Sequence, residues 1–127
     1  MKNFMDSLPI YVRIAEGIKD HILSGDLKEG EQVVSTTQVS NEYNISIATV
    51  NKGINLLIAD GYLFKKRGIG MFVKDGAVER LIEERRKAFR ENYVKSLLIE
   101  ARRLRYSPEE LQAIVVEVYQ SEQNGEQ

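Results

Sequence analysis

Three consecutive cations, Lys65-Lys66-Arg67, lie in a stretch from Tyr62 to Lys74 that holds no acidic residue. Such a cluster suits attraction to a polyanion, since phosphate charge dominates nucleic-acid affinity. Upstream stand Ser46, Thr49, Asn51 and Lys52. Their hydroxyls, amide and ammonium are types that fix register on phosphates or read base edges. Catalytic chemistry is poorly served. The chain has no Cys, so thiolate metal sites, disulfides and thiol nucleophiles are excluded. His21 is the single His, which argues against a His-based triad or a multi-His zinc site. No nucleophile motif or phosphate loop accompanies the Ser, Asp and Glu residues, so neither an enzyme nor a cofactor nor a metal is expected. Gly68-Ile69-Gly70 lacks a third Gly and joins strand to strand, so it is not a dinucleotide fingerprint.

The elements that must position these residues follow from periodicity. Tyr11, Ile14, Ala15, Ile18 and Ile22 recur at threes and fours, which predicts a helix over Pro9 to Ser24. Pro9 suits its first turn and Gly25 its end. Residues 31–34 read as a short strand. Ser35 with Gln38 forms a capping box that opens a helix over Thr36 to Tyr43. After the turn Asn44-Ile45-Ser46, a second helix runs from Ile47 to Asp60 on the apolar stripe Val50, Ile54, Leu57 and Ile58. Two helices across a three-residue turn make a helix-turn-helix. Tyr62–Lys65 and Met71–Lys74 then read as strands about a glycine turn. A hairpin placed there is a wing, with the three cations at its tip.

Beyond Gly76, Val78, Leu81, Ile82, Arg85, Phe89, Tyr93, Leu97, Ala101 and Leu104 predict one helix of about seven turns. Ser107-Pro108-Glu109-Glu110 is a strong helix start, followed by the stripe Leu111, Ile114, Val115 and Val118. The polar end, Ser121 to Gln127, is expected to fray. This helix pair presents more apolar surface than it can bury alone. Packing against the same pair of a second copy is the simplest solution; a monomer that folds the pair back onto the first domain is the alternative. The dimerisation residues are therefore Phe89, Tyr93 and Leu97 with Leu111, Ile114, Val115 and Val118. The expected fold class is α+β and mainly helical: a winged helix-turn-helix domain at 1–76 and a short two-helix dimerisation tail at 77–127.

Composition fits a folded domain. Of 127 residues, 43% are hydrophobic, and 18 Lys+Arg against 19 Asp+Glu leave a net charge of −1. Nucleic-acid binding must then come from a local patch. No apolar run approaches the roughly 20 residues that span a bilayer, and the first residues lack a signal core. A cytoplasmic protein without membrane contact is expected.

Several segments in order resemble the GntR family of bacterial transcription regulators: Pro9-Ile10-Tyr11, Ile22 through Leu27, Gly30-Glu31, Val33-Val34-Ser35, Ala48-Thr49-Val50, Gly61-Tyr62-Leu63 and Gly68 through Val73. The likeness covers roughly residues 8–76. The short tail is similar to the YtrA-like subgroup, which lacks a larger effector domain and often regulates ABC transporter genes. The resemblance implies a repressor that binds a palindromic double-stranded DNA operator as a homodimer. It places the DNA-facing positions at Ser35, Thr37, Ser46, Ile47, Ala48, Thr49, Asn51 and Lys52, with Lys65, Lys66, Arg67 and Gly68 on the wing. Family members usually carry Arg where this chain has Thr37, Ile47 and Asn51. In the expected complex, Asn51 pairs with adenine and Lys52 donates to guanine or to a phosphate. Ser46 and Thr49 hold the backbone, and the N–H of Ser35 meets a phosphate. The alternative use of such a fold is a protein–protein module, which salt dependence would distinguish. No chemistry for a small-molecule effector is legible.

Overall fold

The computed structural model describes residues 7–125. These form two compact units, one ending at Glu84 and one beginning at Arg85. The first unit contains α1 (Ile10–Ser24), α2 (Thr36–Tyr43), α3 (Ile47–Ala59), strands β1 (Leu63–Lys66) and β2 (Gly70–Val73), and most of α4 (Ala77–Phe89). It is a mostly helical winged helix with a two-stranded sheet, as the periodicities predict.

Pro9 caps α1 from outside the helix, and its carbonyl accepts from the N–H groups of Val12 and Arg13. Gly25 ends the helix at φ 90°, a left-handed conformation that glycine adopts without strain. The Ser35 hydroxyl accepts from the N–H of Gln38 at 3.1 Å, which fixes the start of α2. Asn44 takes the left-handed turn at φ 54°. Ser46 then caps α3 by accepting from the N–H of Thr49 at 3.2 Å.

The core joins every element of this unit. Val50, Ile54 and Leu57 of α3 are fully buried with Ala15 and Ile22 of α1, Val39 of α2, Leu63 and Val73 of the wing, and Ala77 and Leu81 of α4. Gly53 sits where α3 crosses α1. A Cβ there would stand 2.7 Å from the carbonyl oxygen of Tyr11, so only a bare backbone permits this approach.

The strands pair antiparallel, with Leu63 opposite Val73 and Lys66 opposite Gly70. Residues 31–34 do not make the expected strand. They form a single bridge, Gln32 to Phe72, flanked by Val33 N–H to Met71 at 2.8 Å and Val73 N–H to Glu31 at 3.0 Å. The chain leaves the sheet edge at Val34 because Ser35 must reach the cap of α2.

The long helix expected over 77–104 is interrupted. After α4 comes a π-helical turn over Arg90–Val94, then α5 (Lys95–Arg103). The first turns of α4 also belong to the winged unit through Ala77 and Leu81, past the expected boundary at Gly76. In the second unit Ser107 and Glu110 make a reciprocal capping box, at 3.1 and 2.9 Å, that starts α6 (Pro108–Gly125). α6 runs on through Ser121 to Gly125, and the last two residues lie outside the described chain. Leu97 of α5 and Leu111, Ile114, Val115 and Val118 of α6 line one apolar groove. No helix of the described residues is long and apolar enough to cross a membrane.

The N-terminus of α4 is held by Glu29, whose carboxylate accepts from the N–H groups of Gly76 and Val78, each at 3.0 Å. These bonds hold its carboxyl below the ordinary value of 4.5. A depressed folded pKa gives stability that is present above the unfolded value and lost as pH falls through the folded one. Glu29→Gln should therefore melt earlier than the parent at pH 7, and the gap should close as pH drops below about 4.5. Thermal melts followed by circular dichroism check this. An equal gap at pH 7 and pH 3 would show that the charged cap contributes nothing.

Candidate nucleic-acid interface

The first turn of α3 presents Ser46, Ile47, Ala48, Asn51 and Lys52 to solvent, with Thr49 half-buried. The Ser46 hydroxyl lies 2.7 Å from that of Thr49 while it caps the helix. Both hydroxyls are therefore engaged at the N-terminal cap of α3. Asn51 accepts at Oδ1 from the hydroxyl of Thr36 at 3.0 Å. That bond fixes the amide plane and leaves Nδ2 as a donor with a defined direction. Lys52 extends over the ring of Tyr11, with Nζ 4.2 Å from its centroid. The ammonium is thus held toward α1 by a cation–π contact.

Ser35 and Thr37 are exposed at the start of α2, one capping the helix and the other in its first turn. The Thr36–Asn51 bond ties the start of α2 to the early part of α3. Thr36 and Tyr11 engage Asn51 and Lys52 without having been predicted. Thr36 follows the Ser35 cap, but no local pattern links it to Asn51, 15 positions on. Nor does one mark Tyr11, whose spacing makes it one more member of the α1 stripe.

The wing carries the other predicted cluster. Lys65, Lys66, Arg67 and Gly68 are all exposed. Phe64 and Phe72 face each other across the strands with ring centroids 5.9 Å apart. Lys66 lies over this pair, 4.5 Å from the Phe72 centroid and 5.9 Å from that of Phe64. Lys65 and Arg67 have no carboxylate partner among the described residues. Their charge is therefore left to solvent or to a ligand. Gln32 braces the tip by donating from Nε2 to the Ile69 carbonyl at 3.1 Å. A Cβ on Gly70 would stand 2.5 Å from that Nε2, so the glycine makes room for the brace. Gln32 is a supporting residue that sequence patterning does not single out, because in a short strand its side chain merely alternates.

The arrangement offers a cationic hairpin tip and, in the same compact unit, a helix end with exposed small and polar side chains. Among the described residues no group of three or more acidic or His side chains is gathered to hold a metal ion.

The model of bacterial regulatory proteins of the gntR family matches residues 10–73, from α1 through the wing. Over 73 residues the chain is 32% identical to the "Probable fructoselysine utilization operon transcriptional repressor" of Escherichia coli strain K12, covering 58% of this chain and 30% of that one. The chain spans about a third of the length of such relatives. A GntR family transcriptional regulator from Listeria monocytogenes has the same fold over 88% of this chain and 96% of its own, with a TM-score of 0.74 at 23% identity. The AraR DNA-binding domain, solved in complex with operator ORE1, matches 52% of this chain and 80% of its own at 27% identity and a TM-score of 0.50. These are regulators and not enzymes, and with the family model spanning the winged unit, the chain belongs to the gntR family of bacterial regulatory proteins.

Proposed function

We propose that this protein is a transcription repressor that binds a palindromic double-stranded DNA operator as a homodimer in the cytoplasm. The observation that carries this reading is the uncompensated cationic wing tip in the same compact unit as the capped, open end of α3. The N-terminal part of α3 enters the major groove, as recognition helices do. Asn51, oriented by Thr36, reads a base. Lys52 leaves Tyr11 to reach a guanine or a phosphate, and the Ser35 N–H meets the backbone beside Thr37. Ile47 and Ala48 supply apolar contact, and Ser46 and Thr49 set register. Lys65, Lys66 and Arg67 hold the flanking phosphates, with Gly68 close to the minor groove.

The dimer rests on the second unit. Phe89, Tyr93 and Val118 are 58%, 62% and 52% exposed, with Leu97 and Val115 nearly half exposed. An apolar face of that kind marks an interaction site. A two-fold copy of the same face supplies a matching surface. The likeness to YtrA from Sulfolobus acidocaldarius, 29% identical over 65% of this chain and 89% of its own with a TM-score of 0.53, supports placement in the YtrA-like subgroup, with ABC transporter genes among its targets.

Replacing Lys65, Lys66 and Arg67 together by Ala should weaken specific and nonspecific DNA binding alike. The slope of log K against log salt should become shallower by about one for each phosphate that the wing no longer neutralises. Titrations at several salt concentrations measure both, and an unchanged slope removes the wing from the complex.

Asn51→Ala should relax preference at one operator position, at a cost of about 1–3 kcal/mol for a bidentate base contact. Thr36→Val should produce a smaller loss at the same position, since it removes only the restraint on the amide. Binding-site selection on each variant is the measurement. The parent consensus recovered from Asn51→Ala would show that Asn51 reads no base.

Tyr93→Asp or Val115→Asp should place a charge in the apolar contact and give monomers. Operator affinity should then fall steeply while the winged unit stays folded. Light scattering and DNA titration on one sample test this. A parent that is monomeric at micromolar concentration yet binds its operator tightly would overturn the dimeric reading.

A further inference from the structure

Ile10, Arg13, Ile14, Gly17, Ile18 and His21 recur at helical spacing and share one face of α1. That face is one wall of a groove of about 580 Å³, and Val34, Val39, Tyr43 and Ile45 build the other. The groove lies wholly within the first unit. Its lining is mainly apolar, yet Ile10, Val34 and Tyr43 are 51%, 51% and 62% exposed. Exposed apolar surface gathered in one hollow marks a binding site. Small-molecule sites run to about 300–1,000 Å³, so the volume suits one compact organic molecule.

Gly17 lies midway along this face, and the fold gives no reason for a glycine there. Its backbone is helical, and a Cβ at this position would meet no heavy atom within 4 Å. Gly53, by contrast, is required by the approach of the Tyr11 carbonyl. A glycine inside a helix is destabilising relative to alanine. What Gly17 provides is an open floor, since a side chain at this position would fill part of the groove.

The polar side chains of the lining set the chemistry of an occupant. Arg13 donates from Nε to the Leu8 carbonyl at 3.1 Å, which fixes the guanidinium plane. Its two Nη groups have no partner among the described residues, and together they match the two oxygens of an anion. His21 is engaged by Asp26, with Nδ1 at 3.3 Å from Oδ2. Glu42 has no partner among the described residues and disfavours an anion at its own part of the wall. The anionic end of an occupant is thereby assigned to Arg13. From Arg13 to His21 the helix rises about 12 Å, at roughly 1.5 Å per residue.

We propose that this groove binds a small organic anion, with an apolar body of up to about 12 Å seated over Gly17 and its charged end on Arg13. None of the residues assigned above to DNA lines the groove, so the site stands or falls apart from the operator reading. Val34 and Ile45 directly precede the caps Ser35 and Ser46, so a bound molecule touches the residue before each cap of the helix-turn-helix.

The test titrates the full chain with anilinonaphthalene sulfonate, an aromatic anion, and with phenylnaphthylamine, its neutral counterpart, each followed by fluorescence. The parent should bind both dyes. Gly17→Leu should weaken both by about tenfold or more, because the leucine occupies the floor. Leucine is also the better helix former, so this variant should melt no earlier than the parent. Arg13→Gln should weaken the sulfonate about tenfold and leave the neutral dye within about twofold. Amide NMR spectra should show changes grouped at Gly17, Tyr43 and Ile45. A parent that binds neither dye overturns the inference. So does binding that Gly17→Leu leaves unchanged, or amide changes grouped at Leu97 and Leu111, which put the dye on the second unit. Equal affinity of Arg13→Gln and the parent for the sulfonate overturns the assignment of an anion. A light-scattering mass that falls in Gly17→Leu makes the groove a contact between copies and also overturns the inference. Should Gly17→Leu fail to melt cooperatively, Arg13→Gln, an exposed substitution, and the amide spectra decide.

Discussion

The missing side chain at residue 53 lets α3 lie against the backbone of α1, and the rest of the winged unit is arranged around that approach. With Gly53 beside the Tyr11 carbonyl, the buried stripe of α3 falls into register with Ala15 and Ile22. Lys52, one residue earlier, then lies over the Tyr11 ring. The far end of α3 is delivered to the place where Asp60 and Gly61 meet Arg80. Any side chain at 53 would push the two helices apart, and overpacking of this kind costs about 1–3 kcal/mol. The displacement would be felt at both ends of α3, because a close-packed core transmits strain instead of absorbing it.

Charge is distributed by the same logic of placement. A net charge of −1 hides a division between internal and external cations. Lys19 and Arg80 are spent on crosslinks within the fold. Lys66 is partly occupied by the Phe64–Phe72 pair, which stiffens the hairpin beneath it. Lys65 and Arg67 remain with their charge uncompensated among the described residues. Two acids that lie near the sheet work elsewhere: Glu29 caps α4, and the Glu31 carboxylate accepts from the Lys28 N–H at 2.6 Å. The field at the wing tip is therefore local and survives the slightly acidic total.

Local signals account for most of what the sequence discloses. Capping residues Ser35, Ser46 and Ser107, the left-handed turn at Asn44 and the glycines of the wing each specify backbone within a few residues, and all appear where expected. Apolar spacing likewise identifies the α3 stripe. Pairings between distant positions are not legible. Nothing around Lys19 announces that Glu84, 65 positions away, will hold it charged inside the core. Nothing around Glu29 announces a cap for a helix that starts at Ala77. The π-helical turn is more accessible than it looks. Phe89, Tyr93, Leu97 and Ala101 are spaced by four throughout, and in a helix of 3.6 residues per turn each such step drifts by about 40°. A wider turn over Arg90–Val94 takes up part of that drift.

The candidate site is legible as a set of positions but not as a set of roles. Asn51 and Lys52 stand on the exposed side of α3 as spacing requires. Yet each is already engaged by a neighbour, Thr36 or Tyr11, that no local pattern links to it. For Asn51 the engagement favours base reading, because an oriented amide loses less freedom on binding. For Lys52 it works the other way, since the cation must give up its ring to reach DNA. With Thr37, Ile47 and Asn51 all uncharged, the helix-turn-helix itself brings little positive charge. In the proposed complex, attraction to the phosphate backbone then falls mainly to the wing, and discrimination falls to neutral groups on α3. Such a division makes affinity strongly salt-dependent while base preference, resting on hydrogen bonds, changes little with salt.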